Sequence, residues 1–199
     1  MRLCEEEEAK HFTWDEGSAT FLILENDRAL DVGCGPTTKK EPSHFGRADV
    51  LVDINEELIE YYKDKNVTFI QAPVEHLPFS DKEFEFVWCS HLLEHVEDPK
   101  IACAELMRVG NRGRIKAPAP VKEILWPQSY HKWLVSSIGN QLVFERKYGF
   151  LYSDIWKRVI WTEGMIAIRK NGMRDLDVPV YARETIFDWE DKFEVIIRL

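Results

Sequence analysis

Short apolar runs rich in β-branched residues alternate with helical stretches through the first 118 positions of the chain. Arg28-Ala-Leu-Asp-Val-Gly33 reads as a buried strand that ends in glycine, and Ala48-Asp-Val-Leu-Val-Asp53 reads as a second. Asn55 to Lys63 reads as a helix, with Asn55 or Asp53 near its cap and acids in the first turn, where the helix dipole favours them. Val67 to Gln71 is a third strand. Glu83 to Cys89 is a fourth, and its apolar run after Glu85 predicts burial on both faces. Asp98-Pro99 opens a helix that runs to about Val109, with aspartate at the cap and proline at the first helical position. Arg112 to Ala117 is a fifth strand. This rhythm predicts parallel strands joined by right-handed crossovers in an α/β sheet.

Past Pro118-Ala-Pro120 the rhythm fails. Residues 121–165 are rich in aromatics (Trp126, Tyr130, Trp133, Phe144, Tyr148, Phe150, Tyr152, Trp156, Trp161), and Phe187 to Ile197 reads as one final strand. We expect a single domain, with a core over 28–118 and helices and antiparallel strands from 119–199 added to the sheet edge. The aromatics read first as core packing and second as a lid or acceptor pocket that excludes water.

The 199 residues are 45% hydrophobic and 31% charged, a soluble globular composition with no run long enough to span a membrane. The acids Glu5 to Glu8 read against a secretory signal. Cys4, Cys34, Cys89 and Cys103 lack a Cys-x-x-Cys pair and fit reduced thiols, so a cytoplasmic protein is expected. Charge is uneven. Residues 1–60 hold 15 acids and 6 bases, whereas 108–174 hold 13 bases and 4 acids. The net charge of −9 argues against a nucleic-acid coat. The later stretch could be a solvated face or could attract an anionic substrate.

Candidate chemistry begins with Leu30-Asp-Val-Gly-Cys-Gly-Pro36 at the end of the first strand. Glycines there let a ligand approach the backbone, and open α/β sheets bind ligands beyond the carboxyl ends of their strands. Asp53 ends the second strand 20 residues after Gly33, where a carboxylate can accept both hydroxyls of a ribose. A dinucleotide would need a third glycine, but the frame Gly33-x-Gly35-x-x-Thr38 lacks it, and Pro36 and Pro42 oppose a long helix after the loop. A nucleoside carrying an amino-acid side chain fits without that helix, with its zwitterionic end over Gly33 and Gly35 and its amino group near Asp31.

The stretches Ala29 to Pro36, Val52-Asp-Ile54 and Val74 to Asp98 resemble the class I S-adenosylmethionine-dependent methyltransferases, in particular the small-molecule branch that includes the ubiquinone/menaquinone methyltransferases. The resemblance spans about residues 28–118. It implies a Rossmann-like, mostly parallel seven-stranded sheet with helices on both faces and a C-terminal antiparallel strand. It implies S-adenosylmethionine as cofactor, held by Asp31, Gly33, Cys34, Gly35, Asp53 and Ile54, with Ser90 and His91 along its methionine side. The family often places an acidic residue where Pro73 stands, so adenine would be read by Val74, by Glu75 or through water.

Methyl transfer gains chiefly from positioning and from exclusion of water. If the acceptor must lose a proton, His91 and His131 are the candidate bases, while His95 reads as structural. No His-x-x-x-His pair or carboxylate cluster is read as completing a coordination sphere, so no metal is expected. The expected partner is a small-molecule acceptor, with neither nucleic acid nor membrane, and a homodimer is compatible. Two other classes stay open: a module that binds the cofactor without transferring the methyl group, and an NAD-dependent oxidoreductase.

Overall fold

A computed structural model describes residues 10–11, 22–23, 27–36, 48–65, 67–125, 128–147 and 184–198. Among them a six-stranded sheet forms the centre. Its strands are β3 (Ala29–Val32), β4 (Val50–Asp53), β5 (Thr68–Gln71), β6 (Phe84–Ser90), β7 (Gly110–Pro118) and β10 (Glu184–Glu190), in the order β10-β7-β6-β3-β4-β5. The first five in sequence run parallel and β10 pairs antiparallel with β7. The resemblance implied seven strands, a count the described residues do not reach. β1 (Lys10–His11) and β2 (Leu22–Ile23) form a separate antiparallel pair.

Strand alternation sorts the core. Leu30, Val32, Val50 and Val52 share one cluster with Ala102, Cys103, Leu106 and Val109 of α2 (Pro99–Val109). Leu51 faces the other way and packs with Leu58 and Tyr62 of α1 (Glu57–Tyr62). Period-two alternation thus places one helix on each face of the sheet. The α2 start matches the sequence expectation: the Asp98 side chain accepts from the N–H groups of Lys100 and Ile101, with Pro99 at the first helical position. Asn55 accepts from the Glu57 N–H at 3.0 Å and opens α1.

Chain order reverses between β3 and β6. From β3 the chain moves outward through β4 and β5, then returns to the other side through β6 and β7. A crevice beyond the carboxyl ends at such a switch point is the ligand position of open α/β sheets.

The C-terminal half differs from expectation in two ways. Residues 128–147 do not extend the main sheet. β8 (Trp133–Ile138) and β9 (Gln141–Arg146) form a hairpin in a second, three-stranded sheet, reached through α3 (Pro120–Leu125). The tail is also not one strand. It breaks at Asp191 (φ 57°) into β10 and β11 (Glu194–Arg198), and β11 pairs in parallel with β9. The break lets Phe187 and Trp189 pack against Phe193, tying the two sheets through one aromatic cluster. Trp133 and Phe144 are buried and Tyr130 is exposed. Trp126, Tyr148, Phe150, Tyr152, Trp156 and Trp161 lie outside the described residues.

Several described bases of the basic stretch are matched by acids. Arg108 donates to Glu105 and Asp81, Arg112 to Asp27, and Arg114 to Asp188. Lys122 pairs with Glu184, Lys132 with Glu97 and Lys147 with Glu123. Among the described residues, these six bases of the stretch therefore stand in ion pairs, most of them reaching across elements. No helix among the described residues is long and apolar enough to cross a membrane. Cys34, Cys89 and Cys103 are buried free thiols, and Cys4 lies outside the described residues.

Candidate functional site

The turn after β3 is stitched to the end of β4. Gly33 N–H donates to the Val52 carbonyl at 2.8 Å and Cys34 N–H to the same oxygen at 3.2 Å. The Asp53 carboxylate faces this turn: one oxygen accepts from Gly35 N–H at 2.9 Å and the other from Asn55 N–H at 2.9 Å. A carboxylate oxygen has more than one acceptor position, so capacity for a ligand hydroxyl remains. The Tyr62 hydroxyl donates to the Gly35 carbonyl at 2.6 Å, and its ring stacks on Phe69 at 5.2 Å. Helix α1 thereby braces the turn from the far side of the sheet.

Both glycines take backbone conformations that side chains disfavour, with φ 76° at Gly33 and 55° at Gly35. They differ in surroundings. A Cβ at Gly33 would lie 3.0 Å from Leu92 Cβ and Cδ2, whereas a Cβ at Gly35 would meet nothing within 4 Å.

A crevice of about 220 Å³ opens beyond the ends of β3, β4 and β5. Of the expected residues, Gly33, Asp53, Ile54, Val74 and Glu75 line it. Ile54 is 65% exposed, an apolar side chain left uncovered beside a carboxylate. Pro73 also lines the crevice, at the place where the family often carries an acid. Leu92, Val96, Glu97 and Lys132 also line it and were not expected. Leu92 and Val96 lie inside a stretch that carried the resemblance, but apolar residues gave no separate signal. The Lys132–Glu97 pair at 2.6 Å joins residues 35 apart, and sequence offers no sign of it.

Other expected residues stand elsewhere. Asp31 is buried within β3, and Ser90 ends β6 half-buried. Cys34 turns into the α1 side of the sheet, where burial first, and then the Asp31 and Asp53 carboxylates, push its thiol up to about 12. It is not part of the crevice lining and is no nucleophile.

His91 and His131 line a second crevice of about 320 Å³, together with Glu94, His95, Lys122, Glu123 and Tyr130. His95 borders both crevices. His91 has φ 55° and is exposed; its ring nitrogens lie 3.4 Å from Glu94 and 3.3 Å from Glu184. His131 is buried and its Nδ1 lies 2.7 Å from Glu123 Oε2. Burial pushes the Glu123 carboxyl up, but hydrogen bonds from His131, Lys147 and the Gln128 N–H hold it below the usual carboxylate range. Glu123 is therefore the acceptor and His131 Nδ1 carries the proton. Burial lowers His95, outweighing Glu94. Against the expectation of no coordination cluster, His91 and His95 stand at His-x-x-x-His spacing, and folding brings Glu94, His95 and His131 together.

Residues 30–115 match the family model described as "Methyltransferase domain". This segment is similar to methyltransferase domains. The chain is similar to a ubiquinone/menaquinone biosynthesis C-methyltransferase of Saccharophagus degradans, at 34% identity over 99 residues, covering 44% of this chain and 40% of the relative. It is also similar to a demethylmenaquinone methyltransferase of Renibacterium salmoninarum, at 35% over 89 residues, covering 43% and 38%. The chain thus spans about two fifths of the length of these relatives. A solved S-adenosylmethionine-dependent methyltransferase of Mesorhizobium loti covers 81% of this chain and 89% of its own, at 16% identity and a TM-score of 0.48.

S-adenosylmethionine is the methyl donor of this class, and the residues present fit it. The first crevice sets a carboxylate with spare acceptor capacity beside apolar walls from Ile54, Ala72, Val74, Leu92 and Val96. A ribose needs the first and an adenine ring the second.

Proposed function

We propose that this chain transfers a methyl group from S-adenosylmethionine to a small acceptor, with the cofactor in the first crevice and the acceptor in the second. The observation that carries this reading is the orientation of Asp53 toward the Gly33–Gly35 turn, beside the uncovered Ile54. On this reading Asp53 accepts the ribose hydroxyls, and Ile54 and Val74 cover the adenine, with Glu75 at its edge. Gly33 lets the amino-acid end pass close to the backbone. Asp31 and Ser90 set the field around that end, and Cys34 and Gly35 act by holding the turn.

The donor supplies an activated methyl group when bound, so the chain's own residues have to align, enclose and, where needed, move a proton. His91 is the better-placed base: it is exposed at the end of β6, in a backbone conformation that costs energy and turns it out of the strand line. Glu94 and Glu184 on its two nitrogens would stabilise the imidazolium it becomes. His131 is the second candidate, with Glu123 fixing its tautomer.

The expectation of an anionic acceptor is withdrawn in this reading. Lys122 pairs with Glu184 and Lys147 with Glu123, and Glu94 adds a further carboxyl to the second crevice. A neutral or cationic acceptor suits those surroundings better.

Calorimetry with S-adenosylhomocysteine tests the reading. One molecule bound per chain, with affinity weakened by Asp53→Ala, is the expected result. No binding by the wild type would end it. Pro73 in the crevice favours one rival, a module that binds the cofactor without transferring its methyl group. Bound cofactor with no labelled product across neutral, cationic and anionic acceptors would select that rival.

A further inference from the structure

The second crevice holds a buried carboxyl group whose surroundings go beyond the role in methyl transfer given to it above. Glu94 is 1% exposed, and neither of its carboxylate oxygens has a hydrogen-bond partner. Buried carboxyl groups are ordinarily hydrogen-bonded, paired or bound to a metal. What faces Glu94 is imidazole. His91 Nδ1 lies 3.4 Å and His95 Nε2 3.9 Å from Glu94 Oε1, and one ligand atom each from Glu94, His95 and His131 fall within 4.8 Å of one another. Tetrahedral ligands about 2.1 Å from a zinc ion stand roughly 3.4 Å apart, so closing the cluster needs side-chain shifts of about an ångström.

The surroundings fix both rings, and they orient His131 as metal-binding histidines are oriented. His131 donates a hydrogen bond from Nδ1 to Glu123, which leaves Nε2 outside that bond. Glu123 is fixed in turn by Lys147 and by the Gln128 N–H at 2.7 Å. The His95 ring packs between Tyr130 and His131, with ring centroids 5.5 and 4.7 Å away. A ligating imidazole held at its other nitrogen by a carboxylate, as Glu123 holds His131, is the usual outer shell of such a site.

We propose that Glu94, His95 and His131 bind one divalent first-row transition ion, with two imidazole nitrogens and one carboxylate as protein ligands and a position open to the crevice. This donor set suits zinc or cobalt better than magnesium or calcium, which favour oxygen alone. The site does not depend on the methyl-transfer reading, since its ligands do not include the cofactor.

The test uses the full chain, stripped with a chelator and dialysed. Calorimetry with Zn²⁺ should show one equivalent bound, and Co²⁺ should give visible d–d absorption. Glu94→Gln and His131→Ala should each weaken binding at least about 100-fold, and Glu123→Gln by about 10–100-fold, the range for an outer-shell partner. His76→Ala, an exposed histidine away from the cluster, should leave binding unchanged. X-ray absorption of the zinc-loaded wild type should count two imidazoles and no sulfur, which holds even if a variant fails to fold. No bound metal, a sulfur ligand, fewer than two imidazoles, or binding indifferent to Glu94→Gln and His131→Ala would each overturn the proposal. Loss of S-adenosylhomocysteine binding with zinc binding intact would sink the methyl-transfer reading alone.

Discussion

Gly33→Ala and Gly35→Ala should destabilise the protein by different amounts, although the two positions are neighbours in one turn. Both residues have positive φ, 76° and 55°. Placing a Cβ in that region costs about 1–2 kcal/mol at either site. At Gly35 the added methyl meets nothing within 4 Å, so the strain is the whole effect. At Gly33 it meets Leu92 Cβ and Cδ2 at 3.0 Å and Cδ1 at 3.2 Å. Leu92 Cβ is fixed to the backbone and cannot simply rotate away, so overpacking adds about 1–3 kcal/mol. The expected losses are therefore roughly 2–5 kcal/mol for Gly33→Ala and about 1–2 kcal/mol for Gly35→Ala. Urea unfolding followed by tryptophan fluorescence measures both. Leu92→Ala should cost less in the Gly33→Ala background than in the wild type, because it removes two of the three close contacts. Equal losses for the two glycines, or no coupling to Leu92, would refute the packing argument. The crevice should respond in parallel: Leu92 lines it, so Gly33→Ala should weaken S-adenosylhomocysteine binding more than Gly35→Ala does.

Three further outcomes are expected. Asp53→Ala should weaken S-adenosylhomocysteine binding by about 1.5–3 kcal/mol, the range for hydrogen bonds to a charged group, as read by calorimetry. It should also lower stability, because the N–H groups of Gly35 and Asn55 lose their acceptor. Cys34 should resist thiol reagents in the folded protein at pH 8, since burial pushes its thiol up to about 12, and rapid labelling under native conditions would contradict this. Hydrogen bonds from Arg108 hold the Glu105 carboxyl below its ordinary value of 4.5. A carboxyl lowered on folding stabilises above its unfolded pKa, and that stabilisation fades as pH falls through the folded pKa. The stability gap between wild type and Glu105→Gln should therefore hold near neutrality and shrink as pH drops below about 4.5. A gap constant down to pH 3 would contradict the assignment.

The parts of the fold that sequence discloses are those fixed by local chemistry. Asp98-Pro99 states the start of α2 outright, because a side-chain acceptor and a missing N–H both act within one turn. The apolar runs ending at Gly33 and Asp53 place β3 and β4, and hence one wall of the first crevice. What stays hidden is set by partners distant in sequence. Arg114 finds Asp188 across 74 positions, so a base that reads as part of a basic face is paired. The tail reads as one strand because nothing local marks Asp191, whereas the break follows from β10 and β11 pairing with different sheets. Glu94 stands in a motif that carried the resemblance, yet its meeting with His131 depends on how α3 and β8 return to β6. Asp53 itself was legible as a carboxylate at the turn. Its hydrogen bonds to Gly35 and Asn55 show that it also builds that turn.

A crystal structure of the chain with S-adenosylhomocysteine tests the central claim most directly. The account expects the ribose hydroxyls within hydrogen-bond distance of the Asp53 carboxylate and the adenine against Ile54 and Val74. A nucleoside bound elsewhere, or a ribose that leaves Asp53 untouched, would contradict it.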